Sequence, residues 1–449
     1  MKDLTKGNIY KTFFLFALPM VLAGVLSQCY SIVNTIVAGK LLGEDALGAI
    51  GAVSPLITFI NSVFWGFGTG VGIYTGQLFG AGNYEKVKRV IVNNFKFISV
   101  TITVISVLLL IFRYDIYSFL NVDKNIIEDA NRYFFVSIAG SVILLFSTNC
   151  IYVINAIGDG TFPFLMSVIS TVFHITFGVT AITVFDMGVE GLALGNVLSS
   201  AVIDIMYLLK FSSCFKKFNL SSKKTPFSFK EIKETCKYSL STMTQQSVMY
   251  FAGMILSPMV NSLGSAASAS YTVSLRIFHI NTAVYQNSAK TVGSYTAQCY
   301  GGKKHHLLKK GLAVGFAQNL IFVLPFILVC SIFAEPVSML FFDKGASELA
   351  IHYTVMFGRW CMPFLVFNVV ANLYHNFFRG IGHMKALLIT TIVGSAARII
   401  LSWGLIAPLG IYGYYAGWVL SWLTDGAAGV IIYFFGKWRK SISFEPKQA

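Results

Sequence analysis

Long apolar stretches separated by short polar segments make up most of the chain. Twelve of them reach about the 20 residues that an α-helix needs to cross the hydrocarbon core of a bilayer. They lie at 12–38, 46–76, 91–112, 133–156, 163–185, 191–210, 238–262, 268–298, 311–333, 350–378, 386–407 and 411–436. The pattern therefore predicts an all-α integral membrane protein with twelve transmembrane helices.

Three sequence motifs recur in the same order in both halves, 221 or 222 residues apart. The pairs are Leu42-Gly43-x-x-Ala46 with Leu263-Gly264-x-x-Ala267, Tyr74-Thr75-x-Gln77 with Tyr295-Thr296-x-Gln298, and Gly188-x-x-Gly191-x-x-x-Gly195 with Gly410-x-x-Gly413-x-x-x-Gly417. Small residues alone would indicate only close helix packing. Their shared order and spacing indicate a duplication of six helices.

Because each copy has six spans, both copies have the same orientation in the membrane. We expect two six-helix lobes related by a pseudo-two-fold axis along the membrane normal, with the transport path between them. The predicted N-lobe is 1–215, the cytoplasmic linker is 216–237, and the C-lobe is 238–449.

The composition supports this class: 55% of residues are hydrophobic and 12% are charged, although the net charge is +15. If the N-terminus is cytoplasmic, 24 of the 34 Lys and Arg residues fall in cytoplasmic segments and 5 in outer ones. Such a bias sets the orientation of membrane proteins. It predicts a multi-pass cell-membrane protein with both termini in the cytoplasm, and it requires no nucleic-acid partner.

Nothing in the sequence indicates an enzyme or a cofactor. The seven cysteines are scattered, without a CxxC pair or metal-ligand spacing, and there is no Walker A loop for direct use of ATP. We expect a monomer whose partners are a small-molecule substrate and membrane lipids.

Several motifs resemble those of the multidrug and toxic compound extrusion (MATE) family, which belongs to a superfamily that also contains lipid and polysaccharide flippases. They are Ala17-Leu18-Pro19-Met20, Ser31-Ile32-Val33-Asn34-Thr35-Ile36-Val37-Ala38-Gly39, Gln77-x-x-Gly80-Ala81-Gly82 and Arg379-Gly380-Ile381-Gly382. The resemblance implies a two-lobed antiporter that exports small organic solutes or drugs by alternating access, driven by protons or sodium ions. The alternative is a flippase for a lipid-linked precursor.

The carboxylates that the resemblance would assign to ion coupling are replaced. Asn34 stands where family members commonly carry Asp, and His174-x-x-x-Gly178 stands where many carry Asn-x-x-x-Asp. The seventh span, which carries an acid in other members, offers Gln245 and Gln246 instead.

Two acidic residues remain inside predicted spans, Asp204 in the sixth and Asp425 in the twelfth. A charged residue inside the bilayer costs roughly 2.5–3.5 kcal/mol on insertion scales, so it is a functional candidate by default. Either acid could carry the coupling proton. The structural alternative is that Asp425 pairs with Lys290 of the eighth span.

The cations inside spans gather in the second half, where Arg276, Arg359 and Arg398 accompany Lys290. One interpretation is that the three arginines face a shared cavity and attract an anionic or zwitterionic solute, since a guanidinium binds carboxylates with two parallel hydrogen bonds. The other is that they cap helix ends by snorkelling. His174 is either a charge switch or a packing residue.

Overall fold

The computed structural model describes residues 2–119, 122–218, 220, 225–342, 345–436 and 438, without the side chains of residues 44 and 119. These residues form helices joined by turns and short loops, with no β-strand among them. The all-α prediction is therefore confirmed for this part of the chain.

Eight α-helices lie in the first half of the chain. They are α1 (Ile9–Leu42), α2 (Glu44–Gly80), α3 (Tyr84–Ile111), α4 (Arg113–Phe119), α5 (Ile127–Ala139), α6 (Ser141–Ala156), α7 (Thr161–Thr183) and α8 (Val189–Lys217). The turn between α2 and α3 shows how a glycine and a polar residue separate two apolar helices. Gly82 adopts a φ of 74°, which favours glycine. The Asn83 side chain then accepts from the backbone N–H of Lys86 at 3.1 Å and caps α3.

The second half repeats this arrangement. Its α-helices are α9 (Phe229–Asn261), α10 (Ser265–Gly301), α11 (Leu308–Ile332), α12 (Ala334–Met339), α13 (Glu348–Met356), α14 (Leu365–Gly380), α15 (Met384–Leu409) and α16 (Ile411–Phe435). A π-helical turn at Phe357–Cys361 and a 3₁₀ turn at Met362–Phe364 join α13 to α14. Pro363 lies in this connection, where it cannot donate a backbone hydrogen bond to a regular helix.

Nine helical segments in the described part of the chain are long and apolar enough to cross a membrane. The bent pair α5 and α6, which meet at 50°, becomes a tenth if it is counted as one span. The two other predicted spans lie in α9 and α10, which have 33 and 37 residues but do not meet the same test. A multi-pass membrane protein is thus confirmed, while the count of twelve spans stays a prediction.

The chain forms two compact units whose limits fall inside helices. Unit 1 is Val25–Met243 with Lys2, and unit 2 is Asp3–Gly24 with the chain from Thr244 onward. The lobes predicted as 1–215 and 238–449 follow chain order, and the compact units differ from them at α1 and α9. The predicted linker at 216–237 is partly helical, since α9 begins at Phe229, and residues 219 and 221–224 of it lie outside the described residues.

In unit 1, the repeated Tyr-x-x-Gln motif holds the first part of α9. The Tyr74 hydroxyl donates to Glu234, and its ring stacks on Tyr238 with centroids 5.4 Å apart. The Tyr238 hydroxyl in turn donates to Gln77 Oε1 at 2.9 Å. The beginning of α9 therefore belongs to unit 1 because the end of α2 binds it.

In unit 2, the second copy of the motif holds the start of the chain. Gln298 Oε1 accepts from the backbone N–H of Leu4 at 2.9 Å, and the Phe13 ring meets the Tyr295 ring edge to face at 4.9 Å. The duplicated motif thus has the same structural task in both units: it fixes the segment that begins the first helix of the other sequence repeat.

The repeated glycine motif brings the last two helices of each half close together. A Cβ atom on Gly195 would lie 2.7 Å from the backbone nitrogen of Gly178, between α8 and α7. A Cβ atom on Gly417 would lie 2.6 Å from the backbone nitrogen of Ser402, between α16 and α15. Helix pairs at this separation require small residues at the contact, which explains why the motif recurs.

Candidate functional site

Unit 1 contains a cavity of about 370 Å³ between its helices. It is lined by Ser27, Tyr30, Asn61, Trp65, Leu144, Leu145, Ser147, Thr148, Ile151, Met166, Ser167, Ser170, Thr171, His174, Asn196, Ser200, Ile203 and Tyr207. Hydroxyl and amide groups make up much of this wall. The cavity can therefore accept a solute by neutral hydrogen bonds over an apolar floor.

His174 lies in this cavity next to α1. The Tyr30 hydroxyl is 2.6 Å from His174 Nδ1, and the two rings meet edge to face at 4.8 Å. His174 itself is buried. This contact agrees with the packing interpretation of His174, and the imidazole also lines the cavity.

Asp204 on α8 lies beside the same cavity. Its Oδ1 accepts a short hydrogen bond from the hydroxyl of Ser147 on α6, and Ser147 lines the cavity. A carboxylate is thus held between two helices at the cavity wall.

Unit 2 contains a smaller cavity of about 120 Å³. Its walls combine charged, amide and aromatic side chains, namely Met249, Ala252, Phe278, Tyr285, Gln286, Asn368, Asn372, His375, Thr391, Gly394, Ser395, Arg398, Trp418, Ser421, Trp422 and Asp425. An acid, an imidazole and a guanidinium thus line one small space inside a helix bundle.

A chain of hydrogen bonds runs from this cavity to the end of α14. The Arg379 guanidinium donates to Gln245 Oε1. This fixes the Gln245 amide so that its Nε2 donates to Thr391 at 3.1 Å and lies 3.4 Å from His375 Nδ1. His375 Nε2 then lies 3.0 Å from Asp425 Oδ1. An amide donor at Nδ1 leaves the ring proton on Nε2, where it binds the Asp425 carboxylate.

The two acids correspond across the repeat. Each lies on the last helix of its half, α8 or α16, and each accepts a hydrogen bond from a polar residue on α6 or α14. Asp425 is the more accessible of the second pair, with 21% of its side chain exposed against 5% for His375. Asp425 is therefore the member of this pair that is partly open, while His375 is covered.

Arg398 on α15 faces the same cavity, and no acid among the described residues forms an ion pair with it. Its guanidinium lies 4.7 Å above the Trp418 ring, and one terminal nitrogen donates a long 3.3 Å hydrogen bond to the Tyr414 hydroxyl. The Nε atom is buried and has no hydrogen-bond partner among the described residues.

The three arginines predicted to share a cavity occupy different surroundings in unit 2. Arg398 lines the cavity described above. Arg276 is exposed, and Arg359 is 49% exposed with its guanidinium 4.0 Å from Glu335. The prediction assumed that cations on nearby spans point the same way, and helix rotation separates them.

The predicted pairing of Asp425 with Lys290 is replaced by another contact. Lys290 Nζ donates to Asn287 Oδ1 at 2.8 Å, three residues earlier on α10. The neighbour that the structure gives Asp425 is His375. Similar depth in two predicted spans was too weak a criterion, because depth does not fix which helix faces which.

The other predicted site residues are Asn34 and Gln246, and both are half-buried, on α1 and α9. Sequence reasoning did not select His375, Arg379 or Tyr30 as site residues. The sequence signals for the first two were a histidine inside a span and an Arg-Gly-Ile-Gly motif, while Tyr30 carried no signal. Among the described residues, no group of three or more His, Cys, Asp or Glu side chains could hold a metal ion.

The family model described as MatE matches residues 19–180 and 242–403, one match in each half of the chain. The chain belongs to the MatE family. The two matches contain the first two pairs of repeated motifs, at 42–46 with 263–267 and at 74–77 with 295–298, because the family unit occurs twice.

Known relatives of this MatE protein agree with that assignment. It is 24% identical over 372 residues to the probable multidrug resistance protein YoeA of Bacillus subtilis, covering 79% of this chain and 78% of YoeA. It is 24% identical over 399 residues to the multidrug export protein MepA of Staphylococcus aureus, covering 88% and 86%. A mutant of the Vibrio cholerae MATE transporter VcmN has the same fold, with a TM-score of 0.89, 17% identity and 97% and 98% coverage. This MatE protein is therefore a multi-pass membrane transporter.

Proposed function

We propose that this MatE protein is a secondary exporter of small organic solutes that works by alternating access and is coupled to inward proton flow. The observation that supports this most is the hydrogen-bonded chain from Asp425 through His375 and Gln245 to Arg379. MepA, a relative of similar length, is named as a multidrug export protein, which supports export as the direction.

The proposed coupling step is protonation of Asp425. An ionised Asp425 holds the His375 N–H, and the neutral acid is a weaker acceptor, so protonation loosens α16 from α14 at this point. A ligand or proton can shift a two-state transporter only by binding its two states differently. The hydrogen bond lost on protonation supplies such a difference. Asp204 with Ser147 is the second candidate, and sodium is the alternative ion.

The proposal includes the predicted topology. In it, α9 and α10 also cross the bilayer, which makes twelve spans in two lobes, both termini are cytoplasmic, and the protein acts as a monomer. The polar residues of α9 and α10 are then explained as the lining of a solute path rather than as a lipid-facing surface.

The test is transport by purified protein in vesicles. Uptake of ethidium, an organic cation, and of labelled benzoate, an organic anion, into proteoliposomes is measured under a proton gradient alone and under a sodium gradient alone. We expect the Asp425→Asn variant to lose proton-driven uptake by about ten-fold or more, as expected when a positioned proton-transfer group is removed. The matched control is Asp186→Asn, which changes an exposed acid outside the helices.

Three results would overturn parts of this proposal. Full proton-driven uptake in both Asp425→Asn and Asp204→Asn would remove proton coupling through these acids. Uptake driven by sodium alone would replace the proton. Absence of uptake of any organic solute, combined with translocation of labelled lipid headgroups in the same vesicles, would favour the flippase.

A further inference from the structure

We infer that the cavity of unit 2 binds a small organic carboxylate, with Arg398 as its counter-ion. The inference rests on the proposed function in one respect, that solutes enter this cavity. Its chemistry rests on the surroundings of Arg398, and binding can be measured without transport.

Arg398 carries a charge that no acid among the described residues neutralises. A guanidinium stays protonated at any physiological pH, so Arg398 cannot relieve its charge by losing a proton. No carboxylate of the described residues forms an ion pair with it, and its buried Nε lacks a hydrogen-bond acceptor. Arg398 is half-buried and lies over the Trp418 ring, so its charge is only partly compensated, and a buried polar atom without a hydrogen-bond partner is unfavourable. A bound anion would supply the missing charge and the missing acceptor together.

Asp425 lines the same cavity but does not supply that charge. Its carboxylate binds His375. Gly394, one helical turn before Arg398 on α15, packs against it, since a Cβ on Gly394 would lie 2.7 Å from Asp425 Cβ. Among the described residues, the ion-pair partner of the Asp425 carboxylate is His375 and not Arg398. Arg398 can therefore still bind the anionic group of a ligand.

The remaining walls indicate the rest of the ligand. The rings of Phe278 and Trp422 are stacked 5.6 Å apart with an angle of 8°, and both line the cavity. Amide groups of Asn372 and Gln286 line it as well. Flat aromatic walls favour a flat apolar body, and amides can bind the second carboxylate oxygen. A volume of about 120 Å³ restricts the ligand to roughly the size of benzoate.

Three compounds of one shape and different charge provide the experiment: benzoate, benzamide and benzamidine. Binding of each to purified protein is measured by equilibrium dialysis with labelled compound. We expect benzoate to bind wild-type protein at least about ten-fold more tightly than benzamide, as a hydrogen bond to a charged group predicts. Benzamidine should bind more weakly than both.

The variants assign the effect to one side chain. Arg398→Gln should remove the preference for benzoate, and Arg398→Lys should keep part of it because a charge remains. Arg359→Gln is the matched control, since it removes an arginine of the same unit that is half-exposed beside Glu335. It should leave the preference unchanged. Size-exclusion profiles and melting temperatures show whether each variant is folded. If Arg398→Gln is not folded, the preference for benzoate is compared between Arg398→Lys and wild type instead.

The inference is overturned if benzoate and benzamide bind wild-type protein equally, or if Arg398→Gln retains the preference. It is also overturned if chloride displaces benzoate at equal concentration, since the site would then select charge alone. Failure of the proposed function looks different, because wild-type protein would bind benzoate with this preference and yet transport no solute under any gradient.

Discussion

Gly394 on α15 packs so closely against Asp425 on α16 that the effect of replacing it can be predicted. Replacing it by alanine puts a Cβ 2.7 Å from Asp425 Cβ and 2.9 Å from Asp425 Cγ, while ordinary contacts begin at 3.4 Å. Asp425 Cβ adjoins the backbone, so rotation of the side chain cannot relieve the clash. Helix α16 must therefore move away by about 0.7 Å, the difference between the two distances.

The consequence follows from the size of this shift. The distance from His375 Nε2 to Asp425 Oδ1 is 3.0 Å, and a displacement of about 0.7 Å along this line would lengthen it to about 3.7 Å, beyond the range of an effective hydrogen bond. Overpacking of this kind usually costs about 1–3 kcal/mol. We expect Gly394→Ala to lower the thermal stability and also to weaken proton-driven uptake.

A glycine on the same helix supplies the control. Gly404 has no heavy atom within 4 Å of the position where its Cβ would be, so Gly404→Ala meets open space. Alanine in a helix interior is favoured over glycine by about 0.5–1 kcal/mol, so this variant should be as stable as wild type or slightly more so. The two substitutions are chemically identical, and only their surroundings differ.

Thermal unfolding can be followed with a thiol-reactive dye, because five of the seven cysteines are buried and become reactive on unfolding. For a unit of this size, each kcal/mol shifts the melting temperature by about 2–4 °C. Equal melting temperatures for Gly394→Ala and Gly404→Ala would refute the close contact between α15 and α16. A destabilised Gly394→Ala that keeps full proton-driven uptake would refute the role of the contact between His375 and Asp425.

Two further predictions concern the repeated glycine motif and the contact between Ser147 and Asp204. Gly413→Ala should abolish folding or lower the melting temperature strongly, because its Cβ would lie 1.9 Å from the Leu405 carbonyl oxygen, whereas the repeat-related Gly191→Ala should be milder, because its nearest contact would be 3.2 Å. Similar melting temperatures of the two variants would contradict this. Ser147→Ala should destabilise by about 0.5–1.5 kcal/mol, since it removes a hydrogen bond to the Asp204 side chain. Asp204→Asn keeps an acceptor for that hydroxyl and should cost less in the same melting assay, and the opposite order would exclude the proposed contact.

Most of the membrane-spanning helices could be predicted from the sequence. Lengths near 20 apolar residues exclude other structures in a bilayer, because only helices satisfy every backbone group of a single spanning segment. In the described part of the chain, nine or ten of the predicted spans are helices that are long and apolar enough to cross a membrane. Helices α9 and α10 are less apolar, and their polar residues belong to contacts such as those of Tyr238 and Gln245.

The sequence could not determine the contacts at the site. His375 and Asp425 are 50 residues apart on α14 and α16, and neither segment carries a sequence pattern that predicts contact with the other. In an apolar helix, a lipid-facing side and a protein-facing side have nearly the same composition, so periodicity does not reveal the direction of a side chain. Lys290 was therefore an equally reasonable partner for Asp425, and three arginines could equally well have faced one cavity.

By itself the sequence determined that the chain spans a membrane, that its two halves are copies, and that few charges remain inside the spans, because bilayer thickness and the cost of burying charge act on each segment alone. The tertiary structure decided which of those charges meet. In the described part of the chain it placed His375 beside Asp425 and no acid beside Arg398. The reason is that the rotation and packing of neighbouring helices depend on close contacts such as that at Gly394, which no single segment encodes.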